Sequence, residues 1–292
     1  VQACFFGVAA LVPAYLLMRF HPFLGDTPLW SLRVPVLGAI MLIGAAVSAL
    51  RAADYEYRVG WLAAASLGLM ILMIGTSLNR SLFAAVAMVL AHALAVPALV
   101  LIAAAGRGAG PASWPRTVPG LLAGLSLCAA PLTIGHVARG SFHEAMIDAA
   151  FPDLLGDPAP LAWLLQLYTL AVLAVSVLGG VMMVMIVLRI WMYPRGAPAE
   201  PPGHAGNALY AVPAAFALAG VAAGLGGDRI AALLLNPARY SVNLVPYDIA
   251  PPAHAAPDAA FGLTVLIFFA GALMVRFALR WRRPAQDGRE VE

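Results

Sequence analysis

Six ionisable side chains stand where chemistry could be done: Glu56, His92, His136, Arg139, His143 and Glu144. His92 lies in the middle of a long apolar run, 81–105, and a neutral imidazole held there is poised to take up or hand on a proton. The bland alternative is a histidine hydrogen-bonded to a nearby carbonyl or hydroxyl. Pro97 leaves a carbonyl one turn back without its helical donor, a defect equally at home in an ion path and in a plain kink. Asp54, Glu56 and Arg58 follow another apolar run and read either as an ordinary charged loop or as part of such a path. His136, Arg139 and His143 are spaced to stack on one face of a helix. Arg139 stays charged at any working pH, so it can set the field around the two histidines but cannot pass on a proton. A metal site can be drawn from His136, His143 and Glu144, but their spacing matches no ligand motif, and we expect no metal and no cofactor. Without a Gly-rich phosphate loop, a Ser/His/Asp set or a cysteine pair, no catalytic residue is assigned.

The elements that position these groups must be membrane helices. The chain has 292 residues, 62% of them hydrophobic and only 11% charged. That is too apolar for an ordinary soluble domain or a disordered chain, so the solvent is lipid. Eight segments are candidates for spans: 4–20, 34–50, 60–77, 81–105, 119–136, 160–192, 208–226 and 259–280. Their apolar residues do not alternate, which excludes a transmembrane barrel and predicts an all-α polytopic bundle. Segment 119–136 contains Pro131 and runs into the polar stretch 135–141 before apolar character resumes at 145–151, so it predicts one broken helix, interrupted between Ala130 and Ser141. Arg139 is expected to turn inward there, with Glu144 or an acid of a partner chain as its counter-charge. Segment 160–192 is longer than the hydrocarbon core and must tilt, project or break near Gly179-Gly180.

Between these segments, 194–207 and 237–258 are rich in Pro and read as loops outside the membrane, and Ile230–Leu235 is too short to span and reads as interfacial. The 17 basic residues are all Arg and scattered, which gives no support to nucleic-acid binding. With eight spans the larger share of them falls on the side of the C-terminus, which predicts a multi-pass protein of the cell membrane with a cytoplasmic tail, 281–292. Cys4 and Cys128 lie in apolar runs and read as small buried side chains. The chain opens Val1-Gln2 without a charged leader, so we expect a processed chain or one that begins part-way through a longer gene product.

Several stretches resemble a known family. Asp54-Tyr55-Glu56-Tyr57-Arg58 with Ser66-Leu67-Gly68-Leu69-Met70, then Ala91-His92-Ala93-Leu94, then Ser126 to Pro131 with Gly135 and Arg139, resemble in order and spacing the antiporter-like membrane subunits of respiratory complex I. The same family includes Mrp-type cation/proton antiporters, membrane-bound hydrogenases and inorganic-carbon uptake complexes. Tyr15 to Phe20 also fits the end of a family helix. The resemblance implies two inverted five-helix repeats, of which residues 34–192 are the second and 119–150 its broken helix. Residues 1–20 would be the last helix of an otherwise missing first repeat, and 208–280 a two-helix C-terminal extension. The family's midplane relay of Lys, His and Glu is only partly present. Glu56 and Val96 stand where its blocks have Lys, Met88 where a His precedes His92, Arg139 where the broken helix has Lys, and Phe6 near a first-repeat His.

Two functions follow as expectations. One is a proton- or cation-translocating subunit of a multisubunit complex, using His92, Glu56 and the group His136, Arg139, His143 and Glu144. The other is a non-conducting scaffold in such a complex. A membrane enzyme with its site in 237–258 is a third class, with little in the sequence to carry it. Alone the chain is not expected to be catalytic. Its expected partners are lipid and other integral membrane subunits, one of them supplying the missing first repeat.

Overall fold

The computed structural model describes residues 11–52, 54–105, 114–151, 162–191, 210–243, 248–251 and 259–280. Lipid offers the backbone no hydrogen-bond partners, so a chain this apolar must satisfy them within helices. The described elements are α1 (Val12–Leu24), α2 (Pro28–Arg51), α3 (Tyr55–Gly75), α4 (Asn79–Ala105), α5 (Trp114–Leu127), α6 (Ile134–Ala150), α7 (Ala162–Trp191), α8 (Ala211–Leu225), α9 (Gly227–Ile230), a π-helical turn (Ala231–Leu235), α10 (Asn236–Asn243) and α11 (Ala259–Arg280). Among them α2, α3, α4, α7 and α11 are long and apolar enough to cross a membrane, and α8 with the helix after it makes a sixth candidate, bent by 91°. The protein is an all-α, multi-pass membrane bundle.

Local chemistry explains several element ends. Thr27 caps α2, its hydroxyl oxygen accepting from the Trp30 N–H at 3.3 Å, and Pro28 follows where no donor is needed. Pro35 cannot donate to the Ser31 carbonyl one turn back. The Tyr168 hydroxyl of α7 donates to that carbonyl instead, at 2.7 Å, so the proline defect becomes an interhelical tie. At the other end of the bundle the Arg189 guanidinium donates to the Leu50 carbonyl at 3.1 Å, placing a cation on the C-terminus of α2.

The α2–α3 hairpin is the most extensive helix pair. A Cβ on Gly38 would lie 2.4 Å from the Leu72 amide nitrogen, and one on Gly68 2.4 Å from that of Leu42, so glycine alone permits this backbone approach. α4 packs on α3, α5, α6, α8 and α10. α6 sits among α4, α5, α7, α8 and α11 and is buried along almost its whole length. The outer faces of α1, α2, α7 and α11 expose Phe23, Leu37, Ile40, Leu165 and Phe269, as lipid-facing surfaces do.

Of the three alternatives for segment 160–192, the break does not occur: α7 runs unbroken through Gly179-Gly180. A Cβ at Gly180 would meet the Arg139 guanidinium at 2.7 Å, so this glycine makes room for a buried cation rather than breaking the helix. The region read as an interfacial stub, 230–235, and the start of the loop read from 237 are one helical stretch, Gly227 to Asn243, carried on into α10 by packing on α1 and α4. Segment 119–136 takes in most of α5, the turn after it and the first residues of α6, and is interrupted as expected. The start of segment 4–20, residue Phe6, the loop 194–207 and the tail 281–292 lie outside the described residues.

Candidate functional site

The site begins at a helix break. α5 ends at Leu127 and α6 starts at Ile134. The turn between them holds Pro131, which has no N–H to continue a helix, and places Ala129 and Leu132 at φ of 67° and 70°. Its polar groups are satisfied locally: the Ala130 N–H donates to the Leu125 carbonyl at 2.9 Å and the Thr133 hydroxyl to the Ala130 carbonyl at 2.6 Å. The break therefore spans 128–133, ahead of most of the expected window, and Gly135 and Gly140 lie inside α6. Gly135 is required for close approach, since a Cβ there would lie 1.6 Å from the Ser126 carbonyl oxygen.

Beyond the break, α6 carries a line of polar groups, His136, Arg139 and His143, on one face, with Ser141 on the opposite face. His136, Arg139, Ser141 and His143 are each no more than 1% exposed. Arg139 turns inward as expected, but among the described residues its partners are not acids. It donates to the Cys128 carbonyl and to the Met183 sulfur, each at 3.4 Å. His143 Nε2 lies 3.2 Å from the Ser176 hydroxyl of α7. The His136 ring packs edge-on against Phe261 of α11, with centroids 6.2 Å apart. His92, midway along α4 and fully buried, has Nδ1 2.7 Å from the Ser66 hydroxyl of α3. Ser66 also contacts the Ala63 carbonyl at 2.8 Å, so α3 both holds and orients the imidazole. Cys128 is buried beside Arg139; Cys4 lies outside the described residues.

The structure separates two of the candidates from this line. Glu144 is not the counter-charge of Arg139. It follows Arg139 by five residues, which turns it about 140° away around the helix. There it pairs with Arg80 of α4 at 2.9 Å, and Asp148, a turn later, meets the same guanidinium at 3.6 Å. These groups, with Ala259 and Ala260 of α11, line an open pocket of about 250 Å³. Glu56 lies in the first turn of α3, ten residues or about 15 Å along the axis from Ser66. It lines an open groove of about 450 Å³ with Trp61, Val100 and Ala103, well away from His92. Among the described residues no group of three His, Cys, Asp or Glu side chains is placed to hold a metal, so His136, His143 and Glu144 do not converge.

Sequence reasoning missed three polar positions. Arg80 was one of many scattered arginines, and only its pairing with α6 singles it out. Asn236 and Arg239 fall in a stretch whose polarity and Pro237 suggest a loop, yet both are buried. The Asn236 amide clamps Ile249, donating to its carbonyl and accepting its N–H, both at 3.2 Å.

No family model and no curated protein matches the sequence. Among solved structures, the chain is similar to one chain of the Mrp complex from Dietzia sp. DQ12-45-1b, with a TM-score of 0.78 at 20% identity. The likeness covers 97% of this chain and 32% of that one, so this chain spans about a third of its length. At that identity the likeness shows the fold: the chain has the helical architecture of part of a subunit of that membrane complex.

Proposed function

We propose that the chain is a proton- or cation-translocating, antiporter-like membrane subunit of a multisubunit complex. One observation carries the reading: the buried line His136, Arg139 and His143 on one face of α6, directly after a helix break. Ionisable groups at membrane depth are costly, and broken helices in transporters commonly host the conducted ion. In this reading His92, His136 and His143 exchange protons or attract cations, and Arg139 sets the local field without titrating. Residues 34–192 would form the second repeat of the fold, residues 1–20 the last helix of a first repeat supplied by a partner, and the chain would lie in the cell membrane with its C-terminus in the cytoplasm.

A scaffold role is the second reading, and a specific observation favours it. Glu56 is far from His92, and Arg139 meets a carbonyl and a thioether rather than a carboxylate among the described residues. The test is ion flux in vesicles holding the assembled complex. His92→Phe and His143→Phe each abolish flux while leaving assembly intact if the path runs through this chain. Unchanged flux in both selects the scaffold.

A further inference from the structure

α8 and the helix after it look like an appendage in sequence, but their geometry is that of a second broken span. α8 has 15 residues, about 22 Å at the helical rise, which is too short for a hydrocarbon core of about 30 Å. It stops at Leu225, and the chain turns through 91° into 227–242. A helix end within a membrane needs protein around it. What surrounds this one is the other break. A Cβ on Gly224 would lie 2.3 Å from the Thr133 carbonyl carbon and 2.5 Å from the Leu132 carbonyl oxygen. One turn earlier, Gly220 lies beside Ser126, its Cβ position 3.7 Å from the hydroxyl. The last turn of α8 thus lies directly on the segment whose Ala129 and Leu132 are left-handed and whose Cys128 carbonyl receives Arg139.

We propose that Gly224 is a positioning residue: the end of α8 clamps the α5–α6 turn in its left-handed form and thereby fixes the Cys128 carbonyl under Arg139. The two breaks are then one mechanical unit, and 211–243 belongs to the core of the bundle. This rests on packing alone and stands whether or not the chain conducts.

The native thiol reports on it. In full-length Cys4→Ser chain, in its membrane and with its partners, Cys128 is the single cysteine. Wild-type packing keeps it unreactive to a membrane-permeant maleimide, because it is fully buried. Gly224→Ala and Gly224→Val should raise its labelling rate by about tenfold or more, since a wedge against backbone opens the turn. Gly262→Val, a site with nothing within 4 Å of its Cβ position, should leave the rate unchanged. To separate local opening from general loosening, a second reporter is Ala46→Cys with Cys128→Ala, buried on α2, and it should stay unreactive in the Gly224 variants. Should Gly224→Val fail to accumulate, Gly224→Ala decides with its single added methyl. A folded Gly224→Ala with Cys128 still shielded overturns the proposal, and so does equal exposure of the Ala46→Cys reporter.

Discussion

Arg139→Met should make the protein more stable and, if the chain conducts, inactive. Arg139 is 1% exposed, and its two contacts, to the Cys128 carbonyl and the Met183 sulfur, are both 3.4 Å long. At 3.4 Å the bond to the carbonyl is long, and a thioether is a weak acceptor at any length, while removing a guanidinium from water costs several kcal/mol even after relaxation. The contacts therefore do not offset the burial. Methionine has a similar length, no charge to desolvate, and fits the space that Gly180 leaves open beside Met183. Exchanging poorly compensated buried charge for a well-packed apolar side chain commonly returns about 1–4 kcal/mol. That corresponds to a rise of roughly 2 °C or more in Tm. The assay pairs a thermal ramp read by size-exclusion chromatography in mild detergent with proton and sodium flux in vesicles of the assembled complex. A more stable complex without flux marks a charge retained for function. A strongly destabilised or unassembled Arg139→Met would refute the energetic argument, because the guanidinium would then be holding the bundle together. Raised stability with unchanged flux would remove Arg139 from any ion path.

Gly135→Ala should prevent folding of the α5–α6 region, since its Cβ would sit 1.6 Å from the Ser126 oxygen; retention of a monodisperse peak in detergent would contradict this. Ala129→Gly should be neutral or stabilising by up to about 1 kcal/mol, because it relieves a left-handed φ of 67°, whereas Ala84→Gly inside α4 should destabilise by about 1 kcal/mol. The two variants' melting temperatures, compared in one detergent, check the opposite signs. Ser66→Ala should cost about 1–3 kcal/mol by removing the hydroxyl 2.7 Å from His92 Nδ1 in a fully buried setting, and a Tm equal to wild type would show that His92 does not rely on it. Glu144→Gln should cost less than about 1 kcal/mol, because Arg80 is partly solvated and keeps Asp148, as the same thermal ramp would show.

Features that depend on a single element are legible in the amino-acid sequence. Length and unbroken apolarity specify α2, α3, α4, α7 and α11 as helices in lipid, because a lipid-exposed backbone has no other way to satisfy its hydrogen bonds. The missing donor of Pro131 announces a break close to where one occurs, and a histidine amid 81–105 has to face protein. Features that depend on two separate elements are not legible there. Which carboxylate meets which guanidinium is decided by helix rotation and neighbours, so Glu144 finds Arg80 on α4 and leaves Arg139 to a carbonyl and a sulfur. The helix from Gly227 to Asn243 forms despite Pro237 and its polar residues: α10 packs on α1 and α4, Asn236 and Arg239 are buried, and the Asn236 amide is tied to Ile249. The contact of Gly224 with the turn at Thr133 joins residues far apart in the chain, and a glycine in an Ala-rich run gives no sign of which backbone it will meet. Periodicity and composition act within a segment; pairing of charges and wedging of breaks arise only when segments are packed together, and there tertiary structure alone decides.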